Sequence, residues 1–276
     1  MTSTRPSIAD KRRTFHAMHQ SGCFVIPNPF DVGTARYLQS MGFKALATTS
    51  SGFAWTKAKP DNGITRDMAI AHLHEMVEAT DVPVNADFEA GFAHDADGVA
   101  ESVRLAVETG VAGLSIEDST GVAATPLYEM EQAIERIRAA RRAIDTAGGD
   151  TLLVGRAECF LVGRPDLDET IARLRAYSNA GADCLYAPGI STREQIATVV
   201  AGIAPKPFNL LISGPWPLSV ADVEALGVRR ISVGGALARS AGGGFIRAAK
   251  MIAEQGRFDA LSEAASGKEL NGLFKS

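Results

Sequence analysis

Two short apolar runs of this chain end in carboxylates, Val84-Asn85-Ala86-Asp87-Phe88-Glu89 and Ser115-Ile116-Glu117-Asp118. Acids at the ends of neighbouring parallel strands suit a hard divalent cation, because Mg²⁺ takes oxygen ligands and few protein carboxylates. The bland alternative is that Asp87 and Glu117 cap the helices that follow them. A third run ends in Gly155-Arg156-Ala157-Glu158. An arginine there either clamps a carboxylate or phosphate with two N–H groups, or forms an ion pair with Glu158 or Glu117. The run Thr49-Ser50-Ser51-Gly52 offers hydroxyls and backbone N–H groups to a carboxylate or oxyanion, or is an ordinary polar loop. Residues 53–63 follow it, with Lys57, Lys59 and the turn Pro60-Asp61-Asn62-Gly63. They read as a lid that excludes water. The five histidines make no metal-binding pattern, and there is no nucleophile elbow, P-loop or His-Glu-x-x-His.

These residues need elements to hold them. Apolar runs at 23–27, 45–48, 83–87, 113–117, 152–156, 184–187, 208–212 and 230–233 read as strands. Helical patterns near 31–41, 66–79, 96–109, 129–147, 167–180, 192–202, 219–226 and 236–254 alternate with them. Eight such units predict a parallel (β/α)₈ barrel spanning 1–276 as one domain. An open doubly wound sheet is the runner-up, but Asn28-Pro29-Phe30-Asp31 does not fit its Gly-rich first turn. Extra helices are expected at 7–20 and about 257–266, and Gly242-Gly243-Gly244 is expected to interrupt the eighth barrel helix. In a barrel the loops after strands share one face. The remaining strand ends then bring Asn28 and Asp31, Tyr186 to Gly189, Asn209 or Ser213-Gly214, and Gly234-Gly235. The glycine pair suits a phosphate or merely a tight turn.

Composition narrows the function classes. The 276 residues are 46% hydrophobic and 22% charged with net charge −4, so no basic tract recommends nucleic acid or anionic lipid. No apolar run is long enough to span a bilayer. The start Met1-Thr2-Ser3-Thr4-Arg5-Pro6 lacks an apolar signal core. Cys23, Cys159 and Cys184 form no Cys-x-x-Cys pair and read as buried free thiols in a reducing cytoplasm.

Taken in order, these segments resemble the isocitrate lyase/phosphoenolpyruvate mutase superfamily. Asn28-Pro29-Phe30-Asp31 with Ala35-Arg36 is similar to its opening strand and helix. Ser51-Gly52 and Pro60-Asp61-Asn62-Gly63 resemble its substrate and gating loops. Asn85-Ala86-Asp87 and Ile116-Glu117-Asp118 resemble its metal segments, and Gly155-Arg156-Ala157-Glu158 its arginine strand end. The resemblance implies a (β/α)₈ barrel, usually a homotetramer with the eighth helix swapped between subunits. It implies Mg²⁺ (or Mn²⁺) near Asp87, Glu117 and Asn85, largely through waters. The substrate would be a small 2-oxo or 2-hydroxy carboxylate that passes through an enolate. Ser51, Gly52 and Arg156 would hold it, with Asn209 at the seventh strand. Asp61 would close over the site, and Glu89 could act as acid or base.

The departures bear on the reaction. Asn85 replaces the first acid of the metal motif and removes a charge from it. Asp118-Ser119-Thr120-Gly121 stands where the isocitrate and methylisocitrate lyases carry a catalytic cysteine, and Gly189 where many lyases place a glutamate. C–C cleavage is therefore the leading expectation. A C–P phosphonomutase or phosphonopyruvate hydrolase is its runner-up. A barrel that only binds a carboxylate is the alternative from another class.

Overall fold

Short β-branched runs between amphipathic helices form eight parallel strands, each covered by helices outside and filled by side chains within. They are β1 (Phe24–Ile26), β2 (Leu46–Ala47), β3 (Val84–Asp87), β4 (Gly113–Glu117), β5 (Leu152–Arg156), β6 (Cys184–Tyr186), β7 (Phe208–Leu211) and β8 (Arg230–Ser232). The computed structural model describes residues 5–274. Met1 to Thr4, the first part of the polar start read for a signal core, lie outside the described residues. The strand order is β1-β8-β7-β6-β5-β4-β3-β2. The seam between β1 and β2 is bridged by Ala47 N–H donating to the Pro27 carbonyl at 3.0 Å. The result is a nearly closed (β/α)₈ barrel, as expected.

The helices are α1 (Ile8–Met18), α2 (Val32–Ser40), α3 (Ser50–Thr56), α4 (Arg66–Ala79), α5 (Ala96–Glu108), α6 (Met130–Thr146), α7 (Leu167–Asn179), α8 (Arg193–Ile203), α9 (Val220–Ala225), α10 (Ala236–Gln255) and α11 (Gly267–Leu273). Most begin at a Ser, Thr or Asp whose side chain accepts a first-turn N–H, such as Asp95 for α5 and Asp166 for α7. Three expectations need correction. The hydroxyl run is not a loop: Thr49 Oγ1 accepts from Gly52 N–H at 3.2 Å and starts α3. The glycines at 242–244 do not interrupt α10, which is continuous. The stretch expected as a helix at 257–266 is a short 3₁₀ turn, Asp259–Glu263, followed by α11.

Two apolar layers hold the barrel. Inside, Phe15 of α1 packs with Ile26 of β1 and with Ala45, Ala112, Leu152 and Cys184, which lie where β2, β4, β5 and β6 begin, and so plugs the lower end. Outside, the second layer joins strand to helix. Gly155 is required there, since a Cβ would lie 2.8 Å from Cβ of Tyr177 on α7. The three cysteines are free, Cys159 and Cys184 buried and Cys23 half-buried. No helix of the described residues is long and apolar enough to cross a membrane.

Two buried histidines give this packing a pH signature. Burial, with Arg230 adding to it, pushes His19 down to about 3. Burial, then Lys57, pushes His72 down to about 4. Both are therefore neutral when folded but protonate when unfolded near their ordinary value of 6.5. Their stabilisation is complete above that value and is lost as pH falls below it. Each contributes a slope of up to about 1.4 kcal/mol per pH unit. Buried acids act in the opposite sense, so the readout is a comparison. Denaturant unfolding between pH 7.5 and 5 should show a shallower acid loss in His19→Gln than in the parent. Identical slopes would refute the assignment.

Candidate active site

At the upper ends of the strands lies a cavity of about 380 Å³. Its lining includes Ser50, Ser51, Asp61, Asn85, Asp87, Glu89, Glu117, Arg156, Glu158 and Arg230. The strand pleat explains who points in. Glu117 faces the cavity, and its neighbour Asp118 must face out. Asp118 is 3% exposed and accepts from Arg173 Nη1 at 3.1 Å, from the Tyr177 hydroxyl, and from the Glu158 backbone N–H at 2.8 Å. It is a structural anchor between β4, the end of β5 and α7.

Arg156 is surrounded by acids. Its Nη1 lies 3.2 Å from Asp87 Oδ1 and 3.1 Å from Glu117 Oε2, while Nε and Nη2 donate to Glu158. The ion-pair reading of this arginine is what the geometry shows, with Glu117 and Glu158 as partners, and the residue also lines the cavity. Asp87 Oδ2 accepts from both the backbone N–H and the hydroxyl of Ser50 at 2.9 Å. Neither Asp87 nor Glu117 caps a helix, since Asp95 caps α5 and α6 starts without a side-chain cap.

Electrostatics set this cluster apart. Burial, then Asp87 and Asp61, pushes Glu89 up to about 8. Burial raises Glu117 well above the usual range, against the relief from Arg156 and with Glu158, Asp87 and Glu89 adding to it. Glu158 is raised by burial too. Asp61, on the loop above, is raised by burial and by Asp87. Several acids thus share one guanidinium, and burial favours their neutral forms. Glu89 also sits at φ +49°, a left-handed backbone costly for a side chain with a Cβ. Its carbonyl accepts from Glu117 N–H at 3.1 Å, which holds it there. Its buried Oε1 has no hydrogen-bond partner.

The donor set fits a hard cation in one respect and not in another. Crowded carboxylates and an orphaned oxygen on Glu89 are what a divalent ion would relieve. No three acids form a preformed cage among the described residues. An ion here would keep several waters, as Mg²⁺ ordinarily does. Asn85, expected beside the metal, lines the cavity with its amide engaged: its Oδ1 accepts from Arg230 Nη1 at 3.3 Å and its Nδ2 donates to the Ala86 carbonyl. Two other expected residues are also committed elsewhere. Asn209 is fully buried, accepting from Arg230 Nε at 2.6 Å and donating to Ser232 Oγ at 3.0 Å. Gly52 is a packing glycine, since a Cβ would lie 2.6 Å from Thr49 Cγ2 and 3.0 Å from Phe30 Cβ. Ser51 does line the cavity, beside Gly235.

Sequence reasoning missed Ser50 and Arg230. Ser50 lay within the hydroxyl run but was not separated from it. Arg230 did carry a signal, a charged residue in line with the inward Ser232 of an apolar strand.

A parallel barrel with acids and an arginine gathered at its upper strand ends defines a class of enzyme-like scaffolds that handle small anions. The particular lineage follows from comparison: the chain belongs to the phosphoenolpyruvate phosphomutase family, whose model matches residues 15–253. Among similar proteins is a candidate lyase/mutase from Burkholderia cenocepacia J2315, whose crystal structure shares 46% identity and a TM-score of 0.94 over 98% of this chain and 97% of that one. An oxaloacetate decarboxylase of Bradyrhizobium sp. (strain ORS 278) is 30% identical, covering 88% of this chain and 82% of its own. A 2,3-dimethylmalate lyase of Eubacterium barkeri is 29% identical, covering 74% and 72%.

Proposed function

We propose that this chain is a lyase that cleaves a C–C bond of a small 2-oxo or 2-hydroxy carboxylate through an enolate, assisted by Mg²⁺ (or Mn²⁺). The observation that carries this reading is the acid cluster: carboxylates crowded around one guanidinium, with Glu89, its buried Oε1 unpartnered, lining the same cavity. The relatives named as acting on oxaloacetate and 2,3-dimethylmalate support C–C rather than C–P chemistry. Asp87 and Glu117, with Glu89 beside them, would hold the cation, which would supply positive charge for a developing enolate oxygen. The protein's own groups do the rest. Ser50 fixes the carboxylate of Asp87, and Arg156 fixes those of Asp87, Glu117 and Glu158. Ser51 binds the reacting end of the substrate. Glu89 lines this cavity with a buried Oε1 that has no hydrogen-bond partner, and it is the group we assign as acid or base. Asp61 closes the loop over the cavity and excludes water.

Calorimetric titration with oxalate, a mimic of the pyruvate enolate, tests this. Binding is expected with Mg²⁺ present and is expected to vanish when it is chelated. Assays for pyruvate from dicarboxylates and for phosphate from phosphonopyruvate then separate C–C from C–P cleavage. Failure of oxalate to bind under either condition would overturn the proposal.

The assembly we propose is a homotetramer. Helix α10 has no buried residue, and Phe245 is 75% and Ile246 52% exposed on it. Such a face on a 20-residue helix is covered in solution by another copy of the chain. Light scattering should give four protomers, and Phe245→Asp should lower that mass. A monomeric parent would refute it.

A further inference from the structure

The cavity lining carries two cations, Arg156 above and Arg230 below. Arg156 is engaged by three acids. Arg230 has no acid within ion-pair distance among the described residues, although only 2% of it is exposed. Its Nε donates to Asn209 Oδ1 at 2.6 Å and its Nη1 to Asn85 Oδ1 at 3.3 Å, both neutral amide oxygens. Its Nη2 has no hydrogen-bond partner among the described residues. The titratable groups whose charge would favour it are Cys184 and Tyr186, and both are kept neutral by burial. A buried guanidinium without a countercharge costs several kcal/mol, so folded proteins normally supply one. Among the described residues there is none, and the group lines the cavity.

We propose that Arg230 binds a second carboxylate of the ligand on the cavity floor, which makes the substrate a dicarboxylate. This rests on the acid cluster being the reacting end. Asn85 and Asp87 lie on the same face of β3, two residues apart, so Arg230 sits about 7 Å below the acids, the rise of two strand residues. One carboxylate cannot serve both levels, whereas the two ends of a small dicarboxylate can. Asn85 has a reason here: an aspartate at that position would pair with Arg230 and remove its capacity for the ligand. Asn85 and Asn209 orient the guanidinium without neutralising it.

The test uses two unreactive probes with Mg²⁺ present. Oxalate is short enough to stay at the upper level, while succinate reaches the floor. Arg230→Gln should weaken succinate at least tenfold and leave oxalate within about twofold, with circular dichroism confirming the fold. Arg230→Lys keeps the charge without the paired N–H geometry and should weaken succinate less. It also serves as the readable variant should the glutamine form fail to fold. Equal loss of both probes, or no loss of either, would make Arg230 a structural residue and overturn the inference. So would a parent protein that binds oxalate but not succinate, and in that case the enolate site itself survives. A parent that binds neither removes the proposed function and this inference together.

Discussion

Asp87→Ala is expected to lower turnover of the cleaved oxo-acid by about 10³-fold, the loss typical of removing one preorganised charge-stabilising group. The side chain stands at the junction of the site. One oxygen faces Arg156 and the other takes two hydrogen bonds from Ser50. Truncation therefore frees Arg156 to lean toward Glu117 and Glu158, and removes the acid nearest the loop that carries Asp61. Oxalate affinity should fall with it. The fold should remain, because the Asp87 side chain is 21% exposed and its removal leaves the apolar layers untouched. Asp87→Asn keeps an acceptor for Ser50 but not the charge, so its activity should lie between the two. Steady-state rates for the three proteins decide the matter. Activity within tenfold of the parent in Asp87→Ala would remove Asp87 from the proposed chemistry.

The largest stability effect should come from the adjacent strand end. Asp118→Ala is expected to cost about 3 kcal/mol of unfolding free energy, the lower end for breaking one side of a buried charged network. In thermal unfolding this corresponds to roughly 6–12 °C for a chain of this size. Arg173, the Tyr177 hydroxyl and the Glu158 N–H would each lose a partner. Arg173 retains Glu169, which keeps the loss from being larger. Asp118→Asn should cost less than the alanine change, because one oxygen can still accept. A cost below about 1 kcal/mol for the alanine variant, the scale of an exposed ion pair, would contradict the anchoring role.

Periodicity carried the fold well, because parallel strands buried on both faces leave unmistakable apolar runs and amphipathic helices leave their spacing. The bounds of β4 and β5 were legible to the residue for that reason. Helix α3 was not, since seven residues after a hydroxyl run look like a loop unless Thr49 is read as a cap. Glycines 242–244 misled in the opposite way: their weak propensity is overridden along a 20-residue helix. At the site, Asp87, Glu89, Glu117 and Arg156 stood out from their places at or just after strand ends and Asp61 from its turn, and all line one cavity. Asn85 and Asn209 were harder, because the sequence does not say which partner a buried amide will choose. That partner is Arg230, two positions before the strand end and spanning from β8 toward β3. Long side chains crossing a barrel interior escape any argument made strand by strand.

The seam between β1 and β2 has a mechanical meaning. A cylinder opens where its hoop is thinnest, and here, among the described residues, one main-chain link, Ala47 to Pro27, completes the circumference. The Asn28 side chain spans the same gap, donating to the Thr48 carbonyl and accepting from Val233 and Gly234 N–H. The segment that leaves β2 at this point goes on to carry Ser50, Ser51 and Asp61. The wall is thus most thinly tied directly beneath Ser50, Ser51 and Asp61, and a single asparagine side chain holds the gap shut.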